Sequence, residues 1–295
     1  MSQNIPLFDE IWNYSQPKET AVEFRKLLQE PHIQNDLNAK LQLLTQLART
    51  QGLQRKFDEA HAILNEVEPR LNDALTVAKI RYALERGRTF NSNKQTELAR
   101  PLFLQAYELS QANGEDFYTI DAAHMMGVLD GDLEAQMAWN LIAMEAAKKT
   151  TSARARRWIG SLSNNIGWTY HDQGKYEEAL AMFEQTQAFF IDEIPNAGRE
   201  RIARWCIGKM YRLLNRLDES LDVQKQLERA YAELEDDDGY VQEELGETLF
   251  AMGQKYKAIP HFAKAYYILS QDDWLIANES ERLERLKKSG NIEDN

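Results

Sequence analysis

Five histidines and one cysteine are the residues of this 295-residue chain best suited to acid–base, nucleophilic or metal chemistry. The histidines are His32, His61, His124, His171 and His261. No two stand three or four apart, the spacing that puts two imidazoles on one helical face for a metal, so no metal site is expected. His124 and His171, with Asp172 beside the second, form the strongest acid–base pair if they fall on neighbouring helices. A structural or ligand-contacting histidine explains the same residues. Cys206 has no disulfide partner within the chain and lies among apolar residues at helical spacing. It reads as a buried structural thiol, because reactivity requires exposure and a depressed pKa. Glycine-rich phosphate loops, a G-x-S-x-G elbow and an H-E-x-x-H helix are absent. Asp236-Asp237-Asp238-Gly239 reads as a turn and helix start, with the wrong spacing for a calcium loop. The expectation is a chain that is not an enzyme and needs no cofactor.

Charge narrows the partners. A formal net charge of −12 argues against sequence-independent binding to nucleic acid or to anionic lipid. Residues 148–229 carry 14 Lys/Arg against 11 Asp/Glu, so the middle is the most basic part. The run Lys148, Lys149, Arg154, Arg156 and Arg157 has only Trp158 as an interleaved aromatic and spans a helix end and a helix start, where cations on the outgoing terminus are favourable. It is not read as a nucleic-acid patch. No stretch approaches the eighteen apolar residues of a membrane span, and the opening lacks a secretory pattern. A cytoplasmic protein without membrane contact is expected.

The elements that must position these residues follow from composition and period. Glycine (14) and proline (7) are scarce, strong helix formers dominate, and no segment alternates with period two. An all-α chain is expected. Small residues recur twelve apart, one on each helix of a pair: Ala48 with Ala60, Gly87 with Ala99, Ala123 with Ala135, Gly167 with Ala179, Gly208 with Ser220, and Gly246 with Ala258. Large residues follow the second by four (Leu64, Phe103, Trp139, Phe183, Phe262), and Phe90, Met126, Tyr170, Tyr211 and Leu249 follow the first by three. Antiparallel helices approach to about 8–10 Å only where their crossing carries small side chains. Glycine inside a helix costs about 1 kcal/mol relative to alanine, so Gly87, Gly167, Gly208 and Gly246 mark packing demands. Gln51 and Gln224 stand where large apolar residues are expected, and Ala122 is small for its place.

The unit from Ile166-Gly167-Trp168-Thr169-Tyr170 through Gly174-Lys175-Tyr176-Glu177-Glu178-Ala179 to Phe183 resembles the tetratricopeptide repeat, in which L-G-x-x-Y precedes A-x-x-x-F. Successive first small residues are 39, 36, 44, 41 and 38 apart, against the usual 34. This resembles the long-helix variants, such as kinesin light chains and bacterial receptors for signalling peptides. The resemblance implies a right-handed α-solenoid of about six hairpins, over units 38–71, 73–112, 116–149, 152–193, 197–235 and 237–270. Capping helices are expected over 1–37, where Ile11, Trp12, Phe24, Leu27 and Leu28 would cover the first unit, and over 271–295, where a charged outer face includes Arg282 and Arg285 before a disordered tail.

In that family the first helix of each pair lines a concave groove. The resemblance and helical geometry together assign to it Arg49; Arg81, Arg88 and Asn91; His124; Asn164, Trp168 and His171; Trp205, Lys209 and Arg212; and Tyr240, Glu247 and Phe250. Asn can bond both sides of a peptide backbone, Arg grips carboxylates and Trp supplies rigid apolar area. The expected function is a scaffold or adaptor holding a peptide or partner helix. Alternatives are a receptor for a short signalling peptide, a site at His124 and His171, and a homo-oligomer paired through Trp12 or Trp274. The carboxylate clamp of chaperone-binding members is not found.

Overall fold

A computed structural model describes residues 7–292, and these are helical with no strand among them. Their contacts divide the chain into two compact units, one ending at Trp158 and one beginning at Ile159.

The first unit opens with a single helical turn, α1 (Leu7–Ile11), then α2 (Pro17–Leu27) and the short α3 (Pro31–Gln34). Three antiparallel pairs follow: α4 (Leu37–Leu53) with α5 (Phe57–Val67), α6 (Thr76–Ser92) with α7 (Thr96–Ala112), and α8 (Asp116–Leu129) with α9 (Leu133–Lys149). The turn α10 (Ala153–Arg156) packs on α8 and α9. First helices are neighbours: α4 touches α6, and α6 touches α8. Phe24, Leu27 and Leu28 are buried in one cluster with Leu43, Leu47 and Leu64 as α2 lies on α4.

The second unit repeats the plan with α11 (Trp158–Asp172) and α12 (Tyr176–Ala188), α13 (Ala197–Leu213) and α14 (Leu217–Ala232), and α15 (Gly239–Ala251) and α16 (Lys255–Leu269). The terminal segment forms two helices rather than one, α17 (Asp273–Asn278) and α18 (Ser280–Ser289), and α18 packs on α16. Residues beyond the 34 of the usual repeat go into length: α4, α6, α7, α9 and α13 each have 17 residues. The interval from Gly167 to Gly208 also holds a π-turn, Phe189–Glu193, whose Phe189 and Phe190 rings lie against Gly160.

The glycines explain the pairing. A Cβ on Gly87 would stand 2.6 Å from the Phe103 ring, one on Gly167 would stand 2.8 Å from Phe183, and one on Gly246 would stand 2.7 Å from Phe262. Each ring packs directly against the bare backbone of the partner helix. Ala99, Ala179 and Ala258, four residues before these rings, are at most 1% exposed. The other three pairs depart from this scheme: the first has Ala48 and Leu64, both fully buried, in place of glycine and ring. Gln224 takes the place of a ring opposite Gly208, fully buried, and its amide donates to the Trp205 carbonyl at 3.2 Å. In the third pair Ala135 is only half-buried; Gly127 faces Asn140 instead, and Ala143 and Ala147 are buried.

The turns account for that exception. In five pairs the residue seven beyond the first small residue is left-handed: Arg55 and Lys94 (φ 60°), Gly174 (φ 73°), Asn215 (φ 60°) and Gly253 (φ 76°). The next N–H reaches back to the carbonyl of Gln51, Phe90, Tyr170, Tyr211 or Leu249 at 2.8–3.0 Å, closing a Schellman motif. The equivalent residue of the third pair, Asp130, is extended (φ −74°, ψ 131°), and Asp132 caps α9 through the Ala135 N–H. The exit path differs, so α9 meets α8 in another register.

Two substitutions separate turn from crossing. Left-handed backbone costs a non-glycine residue about 1–2 kcal/mol, so Lys94→Gly should raise stability by about 1 kcal/mol. Gly167→Ala should lower it by about 1–3 kcal/mol through overpacking against Phe183. Urea midpoints of the two variants, moving in opposite directions, check both.

Candidate interaction surface

With Phe103, Phe183 and Phe262 seated on one side of α6, α11 and α15, the residues one and four places after each glycine lie on one flank beside the crossing, about 100° and about 40° round the helix from the glycine. In the first unit this face is dominated by charge. Arg49 donates to Glu85 at 3.2 Å, Arg88 donates to Glu85 at 2.8 Å, and Arg88 also pairs with Asp121. Glu85 and Asp121 are buried. Each guanidinium follows a small residue by one, and each carboxylate precedes the small residue of the next first helix by two. In the second unit Glu244, two before Gly246, pairs with Arg212, four after Gly208. This recurrent acid was absent from the sequence-derived set. Its signal is the repetition of Glu or Asp two places before Gly87, Ala123 and Gly246. The same unit holds Glu243, buried and bound by Arg282 and Arg285 of α18, with Glu247 also taken by Arg285. Those two arginines therefore reach across to α15, Arg285 while still exposed, because a buried carboxylate demands a partner.

Arg81, expected on an open surface, is only 2% exposed. Its guanidinium donates to Asp9 of α1 at 3.0 Å and lies 5.1 Å from the Phe8 ring and 5.3 Å from Tyr118. Arg154 of α10 donates to the same carboxylate at 2.8 Å and stacks on Phe117 at 3.8 Å. The Trp12 indole donates to Gln46 at 2.9 Å and stacks on Tyr14 at 4.5 Å, with Arg49 5.2 Å above Tyr14. A cavity of about 160 Å³ remains beside this segment's contacts, lined by Arg49, Glu85, Arg88, Asn91, Leu53 and Met125. The Glu85 Oε2 and the Arg49 Nε are buried without hydrogen-bond partners among the described residues.

In the second unit the face is aromatic. The Trp168 and Trp205 rings are 6.0 Å apart, Trp205 and Tyr240 another 6.0 Å, and the Trp205 indole donates to the Tyr240 carbonyl at 3.0 Å. The Lys209 ammonium lies over both tryptophans, at 5.8 and 5.2 Å. Three successive first helices thus contribute to one aromatic row carrying a cation. All these side chains are partly exposed. The Asn164 Oδ1, one helical turn from Trp168, is buried and unpaired among the described residues. His171 bonds Asp172 at 2.8 Å and packs 5.0 Å from Trp168. Phe250 is half-exposed.

His124 belongs to the first unit and His171 to the second. His124 packs 5.1 Å from Trp158 with the rings tilted, and burial pushes its pKa down although Asp121 pulls it up. No cluster of three His, Cys, Asp or Glu suited to a metal occurs among the described residues. Cys206 is fully buried and its thiol is pushed up to about 12 by burial, which makes it inert at neutral pH. No described helix is long and apolar enough to cross a membrane.

Residues 161–186 match the tetratricopeptide repeat family model. Solved structures superpose over most of the chain. The apo form of RapI aligns at a TM-score of 0.68 and 13% identity, over 90% of this chain and 76% of that one. The quorum sensor NprR from B. thuringiensis, as the apo form, aligns at 0.63 and 15%, over 95% and 80%; NprR with its cognate peptide NprX aligns at 0.60 and 14%, over 96% and 82%. The fold is a tetratricopeptide-repeat solenoid. A signal transduction ATPase with a tetratricopeptide repeat sensor from Pyrococcus horikoshii is similar at 0.69 and 18%, over 93% of this chain and 44% of that one. These are likenesses of fold. No curated protein sequence matches the chain. Within the repeats, then, the first-helix faces carry a charge network in one unit and an aromatic row in the other.

Two measurements test the electrostatics. Arg88→Met removes the guanidinium that pairs with buried Asp121, leaves buried Glu85 to Arg49 and Gln46, and should cost about 3–5 kcal/mol, whereas Lys149→Met, which removes an exposed pair with Glu145, should change stability by less than about 1 kcal/mol. Burial lowers the pKa of His61, His124 and His261. Their neutral forms contribute stability that is fully present above the ordinary value of about 6.5 and is lost as pH falls through the lowered folded values. Melting temperature should decline below about pH 6.5, and His124→Gln with His261→Gln should flatten that slope.

Proposed function

We propose that this chain is a protein-interaction module that holds a peptide on the first-helix faces of its repeats. The observation that carries the reading is the row Trp168, Trp205 and Tyr240 with Lys209 above the two tryptophans. Partly exposed tryptophans held rigid by their neighbours give large contact area at little entropic cost. Lys209, a partly exposed cation beside both rings, suits a carboxylate. The sequence-derived surface of Arg88, Asn91, His124, Asn164, Trp168, His171, Trp205, Lys209 and Arg212 divides under this reading. Trp168, Trp205 and Lys209 contact ligand, whereas Arg88 and Arg212 are committed to Glu85, Asp121 and Glu244 and set the positions of the helices.

A short peptide is favoured over a partner helix because NprR, alike in fold, is solved with its cognate peptide NprX. Catalysis is no part of the reading: the acid–base candidate His124 is held neutral by burial, and Cys206 is inert.

Selection of a displayed peptide library on the immobilised chain tests the proposal. Recovered peptides should bind the wild type and lose at least tenfold in affinity on Trp168→Ala/Lys209→Ala. Peptides indifferent to that variant, or no enrichment, would overturn it.

A further inference from the structure

The segment Phe8 to Tyr14 contacts the first unit through side chains in the manner of a bound ligand. Asp9 is gripped by two guanidinium groups from separate elements, Arg81 of α6 and Arg154 of α10. Phe8 is 2% exposed, and Trp12 bonds Gln46 of α4. The contacts thus spread over α4, α6 and α10, while α1 itself has only five residues and is too short to be helical alone. Its conformation is set by the surface beneath it. A stretch of turn, Asn13 to Gln16, joins it to α2.

We infer that this face is a second binding surface, specific for peptides in which an aromatic–carboxylate pair is followed by tryptophan three residues on, and that Phe8-Asp9 and Trp12 are its built-in competitor. The inference rests on the interaction-module reading above. Converging guanidinium groups select a carboxylate, since each adds a charge-assisted bond that an amide cannot equal. Tyr118 and Phe117 flank the guanidinium groups of Arg81 and Arg154, and the aromatic residue is buried in the apolar cluster that includes Ala78 and Tyr82 of α6. A tethered segment is present at an effective concentration of order millimolar. An outside peptide of equal chemistry is therefore held off until it exceeds that level or binds better.

The probe is a fluorescein-labelled peptide with the sequence of residues 7–15, titrated into the full chain and followed by anisotropy. It should bind the Phe8→Ser/Trp12→Ser chain at least tenfold more tightly than wild type. Replacing the peptide's aspartate by asparagine, or adding Arg154→Gln to that chain, should each weaken binding about tenfold. Equal affinity for wild type and the released chain, or indifference to the aspartate, would overturn the inference. Should the released chain fail to melt cooperatively, hydrogen exchange on wild type decides. Several millimolar unlabelled peptide should accelerate exchange at residues 7–14 while α6 stays protected, and unchanged exchange would overturn the inference. Failure here with Trp168-dependent peptides still binding sinks this surface alone. Failure of both removes the interaction reading as well.

Discussion

Rings laid on bare glycine backbone hold the repeats of this chain together. Phe103 on Gly87, Phe183 on Gly167 and Phe262 on Gly246 bring paired helices closer than any side chain on the glycine would permit. The contact fixes the roll of each first helix as well as its distance. Once the glycine faces its ring, helical geometry commits the residues one and four places later to one flank beside that contact. The positions of Arg88 and Asn91, of Trp168 and His171, and of Lys209 and Arg212 all derive from that one decision. Where a ring is missing the demand is met differently: Gln224 fills the gap opposite Gly208 and bonds a backbone carbonyl, which keeps a buried amide from going unpaired on its donor side.

The exposed consequence of this packing differs between the units. In the first, acids two places before the small residue draw guanidinium groups from the preceding repeat, so neighbouring first helices are joined by Arg49, Glu85, Arg88 and Asp121. Buried ion pairs add little net stability over well-packed apolar groups, but breaking one is costly. They therefore fix register between repeats. In the second unit the equivalent positions on α11 and α13 are Asn165 and Cys206, which demand no arginine, and the face is left to tryptophan and lysine. The aromatic row exists because the charge network is interrupted there.

Much of this was legible in the chain. Small residues twelve apart predicted the pairs, and the same register placed Trp168, Trp205 and Lys209 on one face. Ala135 misled, because its pair closes through an extended turn at Asp130 that a helical period cannot register. Glu85, Asp121 and Glu244 are not legible in the sequence, because an acid inside an amphipathic helix looks like any solvated residue until the arginine it meets from a neighbouring repeat is known. Arg81 was read as open surface for the same reason; only the fold brings Asp9 to it across 72 residues.

Sequence by itself determined the helical class, the pairing register and the directions in which side chains leave each first helix, since these are local consequences of residue size at fixed spacing. Tertiary structure decided which of those side chains are spent. Arg81, Arg88 and Arg212 are consumed by carboxylates from other elements, whereas Trp168, Trp205 and Lys209 keep exposed area. Partnership between distant charges depends on which helices end up adjacent, and that is a property of the packed chain.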